Sequence, residues 1–159
     1  MTRWFFLPFM LLIIRFGASG QSCPATNETM RSAAFTPPAP YKSLDNGFLF
    51  GTPSLWTYIP DGPLHTATGR NLSAKLVFWR VEFDWKSRPG PDLKVVARRL
   101  DAPAPLIEGN EAHGVLLQGD EKPENMAMMT GITFHEPGCY QIIANYKGYA
   151  LGYIVEVVP

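Results

Sequence analysis

The chain has 159 residues, which fits one domain, and 46% of them are hydrophobic against 18% charged, so a sizeable core can form. The 14 Lys and Arg balance 14 Asp and Glu, which excludes a nucleic-acid binder of the kind that displaces counterions with a clustered basic surface. The 15 Pro and 14 Gly favour many short elements over long helices.

The first element is an export signal. In "MTRWFFLPFMLLIIRFGASG", Arg3 supplies a positive start, Trp4 to Ile14 an apolar run, and Gly17 to Gly20 the small residues needed near a cut. This predicts a signal peptide over residues 1–20, cleaved after Ser19 or Gly20. The apolar run is too short to span a bilayer and Pro8 interrupts it, so no membrane span is expected after cleavage. The competing reading keeps the segment as an anchor or a buried first element. Loss of Arg3 and Arg15 leaves 12 basic residues against 14 acids, a mature charge of about −2. The expected location is secreted or periplasmic.

Cys23 follows the cut. Bacterial lipoprotein signals want a large aliphatic residue three positions before the cysteine, where Gly20 stands here. The better reading pairs Cys23 with Cys139, the chain's other cysteine, in an oxidising compartment. The alternative leaves both unpaired, with Cys139 buried as a small hydrophobe. Residues 21–40 read as a tether rich in Pro, Ala, Ser and Thr, where Pro37, Pro38 and Pro40 favour extended chain. Asn27 and Asn71 begin N-glycosylation triplets, relevant only in a host that glycosylates them.

Residues 41–159 read as β-structure. "FLFGTPSLWTYIP" holds two aromatic runs broken by Gly51 and Pro53, and "DGPLHTATGRN" is a turn-rich loop. "AKLVFWRVEFDW" predicts one long strand: Val77, Trp79, Val81, Phe83 and Trp85 on one face, Leu76, Phe78, Arg80, Glu82 and Asp84 on the other. "SRPGPD" turns, "LKVVARRL" is a strand, and a short one is expected near Val115 to Leu117. "MAMMTGITF" and the hairpin Cys139 to Tyr146 and Ala150 to Val158, joined at "KG", complete the pattern. About seven short strands without an amphipathic helix predict an all-β sandwich.

Glu136, Gly138, Tyr140 and Ile142 in "EPGCYQI" have the spacing of a tyrosine corner, in which the hydroxyl bonds back to preceding backbone. Trp79 would then be the core aromatic of the facing sheet. Antibody-type domains carry a cysteine where Ile142 stands, so the expected fold is an immunoglobulin-like β-sandwich without the central inter-sheet disulfide. With the export signal, the segments "SLWTYIP", "KLVFWR", "RRLDAPAP" and "PGCYQIIANYKG" resemble a family of uncharacterised secreted bacterial proteins over roughly residues 41–159. The resemblance implies export and a sandwich, and carries no activity.

Chemistry-bearing residues are sparse. A blue-copper site needs Cys, His and Met in the loop before the last strand, and "ANYKGYALG" has none. A looser copper site could use Met126 and Met128, which share a strand face, with His135; the competing reading makes the methionines core filler. Glu82 and Asp84 lie two apart, as paired carboxylates of a glycosidase could, against the plainer reading of a solvated patch. No "GxSxG" or "HExxH" occurs. Trp56 and Tyr58 alternate on one strand and could stack on sugar rings if exposed, or fill a core if buried. The expectation is a non-catalytic exported module with no cofactor, binding an unknown protein or glycan. A periplasmic copper protein and a carbohydrate-binding module are the alternatives.

Overall fold

A computed structural model of the chain describes residues 22–30, 35–41, 46–66, 72–81, 83–117 and 122–159. The signal segment and Asn71 lie outside the described residues. Ten strands form among those described: β1 (Gly47–Thr52), β2 (Leu55–Pro60), β3 (Leu64–His65), β4 (Leu72–Trp79), β5 (Leu93–Arg99), β6 (Ile107–Glu108), β7 (His113–Leu116), β8 (Met126–Phe134), β9 (Gly138–Tyr146) and β10 (Tyr149–Val158). They make two five-stranded sheets, the first in the order β1-β2-β4-β8-β7 and the second β3-β10-β9-β5-β6.

This is an immunoglobulin-like sandwich. In the first sheet β2, β4, β8 and β7 stand where strands A, B, E and D stand in that fold, and in the second β5, β9 and β10 stand as C, F and G. β3 adds to β10 in parallel, and every other strand pair is antiparallel. Three strands exceed the expected seven: β3 and β6, with two residues each, and β1, which has six and pairs on the outside of β2.

Alternation builds the core. Tyr140, Ile142, Ala144 and Tyr146 of β9 point inward, as do Leu151, Tyr153, Val155 and Val157 of β10. They meet Leu76 and Phe78 of β4 and Met128, Ile132 and Phe134 of β8 from the facing sheet. Each such aliphatic or aromatic side chain contributes about 1.5–3 kcal/mol by leaving water.

A second cluster lies on the outer face of the first sheet. Leu49, Trp56, Trp79 and Ala127 are buried there with Phe35, and Tyr41, Tyr58, Val77 and Val115 pack around them. Phe35 and Tyr41 belong to the segment at the end of the Pro-rich stretch. Tyr41 meets Trp56 edge-on at 5.0 Å between centroids, and Phe35 lies at 6.2 Å. Earlier in the same stretch, Thr26 N donates to Ile154 O at 2.8 Å and Ile154 N to Thr26 Oγ1 at 2.9 Å. Residues near Thr26 therefore cover part of the open edge of β10, which would otherwise offer unpaired backbone groups to another chain.

The long strand expected over residues 74–85 stops at Trp79. A turn follows at once, where Phe83 N donates to Arg80 O at 3.3 Å, and Asp84 closes a second turn beyond it. Its Oδ1 accepts Lys86 N at 2.9 Å, and its carbonyl accepts Arg88 N at 3.0 Å and Ser87 Oγ at 3.2 Å. A short acidic side chain that closes a turn on its own following backbone competes with the ladder. Phe83 still reaches the core and Trp85 packs against it. Gly114 of β7 lets this turn approach, since a Cβ there would stand 2.9 Å from Trp85 Cβ.

Candidate functional site

The first sheet has a gap. β2 pairs with β4 only at Trp56–Trp79 and Thr57–Phe78. Beyond Thr57 the chain leaves β4 and crosses to the second sheet, where Leu64 and His65 pair with Val157 and Val158. Pro60 and Pro63 flank the crossing; neither has an N–H to give a ladder. At the point of divergence Thr57 Oγ1 donates to Val77 O at 2.7 Å, so a side chain satisfies a strand carbonyl there.

The divergence leaves a cleft of about 300 Å³ lined by Tyr58 and Pro60 on one side, Lys75, Leu76 and Val77 on the other, and Pro63, Leu64 and His65 from the crossing; Tyr153 and Val155 also line it. Strand alternation orders these side chains in depth. Tyr58, Lys75 and Val77 belong to the outer face, whereas Leu76, Tyr153 and Val155 belong to the inter-sheet core. The cleft therefore passes from the outer face through the sheet to a floor on β10. Tyr58 Oη donates to Asn46 O at 3.0 Å, which fixes that wall. Tyr153 Oη is buried and meets no hydrogen-bond partner among the described residues. Burial raises its pKa well above the ordinary tyrosine range, opposed by a polar interaction with the Thr57 side chain that falls short of a well-formed hydrogen bond.

The sequence-derived candidates fall elsewhere, with one exception. Trp56 is 0% exposed beneath Phe35 and Tyr41, so neither ring face is open to a sugar. Tyr58 is half-buried and lines the cleft rather than an exposed stacking platform. Trp79 is buried, but in the outer cluster and not between the sheets, because its side-chain parity follows Val77 and not Phe78. Its Nε1 donates to Glu124 O at 3.1 Å.

The copper candidates do not converge. Met128 is fully buried in the core, Met126 packs against it, and His135 is exposed just past the end of β8. The six residue steps from Met128 to Phe134 along the strand span about 20 Å, too far for Met128 and His135 to share one ion. Among the described residues no group of three His, Cys, Asp or Glu side chains could hold a metal. Glu82 lies outside the described residues, and Asp84 is occupied by its turn.

Tyr140, Glu136 and Gly138 do come together, at the corner from β8 to β9. Tyr140 Oη donates to Glu136 O at 2.9 Å. Arg99 on β5 donates from Nε to Asp101 Oδ1 at 2.7 Å, pairs with Glu136, and reaches Pro137 O at 3.2 Å. Asp101 Oδ2 accepts Cys139 N at 3.1 Å. The Arg99 hydrogen bond holds the Asp101 carboxyl below its usual range, and burial raises the Tyr140 phenol. A Cβ at Gly138 would lie 2.7 Å from Asp101 Oδ2, so only glycine lets the two segments approach. Cys139 is bonded to Cys23, with Cα atoms 5.3 Å apart. The Cys23 sulfur is thus taken up by the bridge and is not available for a lipid thioether.

Sequence reasoning missed Lys75, His65, Leu76, Tyr153 and Val155 as parts of one site. The "PDGP" run between β2 and β3 was the available signal, since two prolines close together mark where a strand must leave its ladder. No family model matches the chain, and no curated protein matches it. A solved structure described as "X-ray Crystal Structure of a Putative Lipoprotein from Bacillus anthracis" is 10% identical, with 75% of this chain and 84% of that chain covered at a TM-score of 0.36. At that score the likeness carries no argument.

Proposed function

We propose that the protein is an exported, non-catalytic binding module, with the cleft between β2 and β4 as its binding place. The Cys23–Cys139 bridge carries the reading. Disulfides form and persist in oxidising compartments outside the cytosol, and this one ties the residues just after the export signal to the sandwich. Among the described residues no helix is long and apolar enough to cross a membrane. The cleft lining holds one lysine and one histidine and no carboxylate, thiol or aliphatic hydroxyl. Such a set can hold a ligand while offering no hydroxyl, thiol or carboxylate nucleophile of the Ser, Cys or Asp kind. Kinship with the secreted bacterial proteins that "PGCYQIIANYKG" resembles belongs to the same proposal, and adds export without chemistry.

The test is an intact native mass spectrum of the protein from its exported fraction. The expected species is cut near Gly20 and lighter by two hydrogens than the reduced chain. An uncut chain with two free thiols in the cytosol overturns export. Substrate turnover by the purified protein overturns the non-catalytic part.

A further inference from the structure

The chemistry of the cleft narrows what it can hold. Six of its ten lining residues are Pro60, Pro63, Leu64, Leu76, Val77 and Val155, so the body of a ligand meets hydrocarbon. At about 300 Å³ it sits at the small end of ligand sites. The charge at its walls is of one sign. Lys75 is exposed, stands opposite Gly131 in the β4–β8 ladder, and so has no side chain directly across from it to compete for its ammonium. It forms no ion pair with any described residue. His65 is exposed on the crossing segment and adds donor capacity. The nearest acid along the chain, Asp61, lies on the turn between the two prolines and does not line the cleft.

On the reading that the protein is a binding module, we infer that this cleft takes a small amphiphilic monoanion. Its apolar body lies against Leu76, Val155 and the Tyr153 ring, and its carboxylate is held at the mouth by Lys75 and His65. The outer face and the core are connected where β2 has left β4, so the apolar body enters through the sheet and the charge stays in solvent. A neutral or cationic amphiphile of the same length loses the ion pair, and a polar anion loses the hydrocarbon contact.

The probe is decanoate, with decylamine as its charge-reversed counterpart, titrated into the full exported protein and followed by amide chemical shifts. Decanoate is expected to shift residues 58–65, 75–77 and 153–155. Decylamine is expected to leave them unchanged. Lys75→Glu, a change at an exposed position, should weaken decanoate at least tenfold. Val77→Trp, which fills the mouth from a half-buried position, should abolish the shifts while the amides of β9 keep their positions. Three results overturn the inference: no shift with decanoate, decylamine binding as tightly as decanoate, or decanoate shifts that persist in Val77→Trp. A correctly exported, disulfide-bonded protein that ignores decanoate sinks the ligand class and leaves the binding-module reading standing. Turnover or cytosolic retention sinks that reading whatever decanoate does.

Discussion

β4 is held very differently on its two sides. Toward β8 it pairs without interruption from Leu72 to Phe78, seven register pairs in all, whereas toward β2 it has two. Past the β8 side lies the corner where Tyr140, Arg99, Asp101 and the Cys23–Cys139 bridge converge; past the β2 side lies the cleft with an unpartnered Tyr153 hydroxyl in the described structure. Fully satisfied backbone closes a sheet to ligands, because each ladder bond brings strands to about 4.8 Å. Access to the core arises where the ladder lapses. β4 is therefore closed on one side by its ladder with β8 and open on the other, where β2 leaves it.

The largest expected effect is on the fastened side. The Cys23–Cys139 bridge closes a span of 116 residues, worth about 4–5 kcal/mol in the chain-entropy account. A Cys23→Ser, Cys139→Ser double variant should lose most of that in urea unfolding, a large fraction of the total stability of a small domain. A loss under about 1 kcal/mol would show that the hydrogen bonds of the corner hold it without the bridge.

Next in size are the corner side chains. Tyr140→Phe keeps the ring against Phe134, 4.8 Å away between centroids, and removes only the bond to Glu136 O, a loss of about 1 kcal/mol. Asp101 adds an acid dependence. Its folded pKa is depressed by Arg99, so in the folded state it binds fewer protons than the unfolded chain does. Its contribution is present above the ordinary value of about 3.9 and is lost as pH falls through the folded value. Acid unfolding of Asp101→Asn should lack that component. The carboxylate is partly exposed, so the component is small and screened by salt, and an unchanged acid limb in Asp101→Asn would remove Asp101 from the account.

The sandwich was legible because the strands of the second sheet alternate cleanly. Tyr140, Ile142, Ala144 and Tyr146 can lie on one face only in an extended chain, and "EPGCYQI" announced the corner as well. Trp79 and Asp84 were misread because alternation identifies two faces without saying which is inner. The outer face of β4 is also apolar at Val77 and Trp79, where residues near Phe35 and Tyr41 cover it, and a single-strand pattern carries no trace of such a cover. Asp84 fitted the period of two, yet it lies past the Arg80–Phe83 turn and its side chain closes a further turn on Lys86 N. The cleft was least legible. Lys75, His65 and Tyr153 are brought together by a strand changing sheets, a tertiary event to which "PDGP" contributes only the break.

The smallest effect sharpens the open side. Tyr153→Phe removes a buried hydroxyl that has no hydrogen-bond partner among the described residues, while the ring that lines the floor stays. Leaving such a group unpaired costs about 1–3 kcal/mol and removing it is near neutral or stabilising, so at pH 7 the variant should match or exceed the parent by about 1 kcal/mol at most. The sign becomes decisive in alkali. Burial raises the folded pKa of Tyr153, so above about 10 the unfolded chain has given up a proton that the folded one keeps. Stability from this group is complete below that pH and is lost as pH rises toward the folded value. The parent should therefore destabilise above pH ~10 along a limb that Tyr153→Phe lacks, in denaturant midpoints measured side by side. If both fall together, water reaching through the cleft already solvates the hydroxyl, and the floor is wetter than its lining implies.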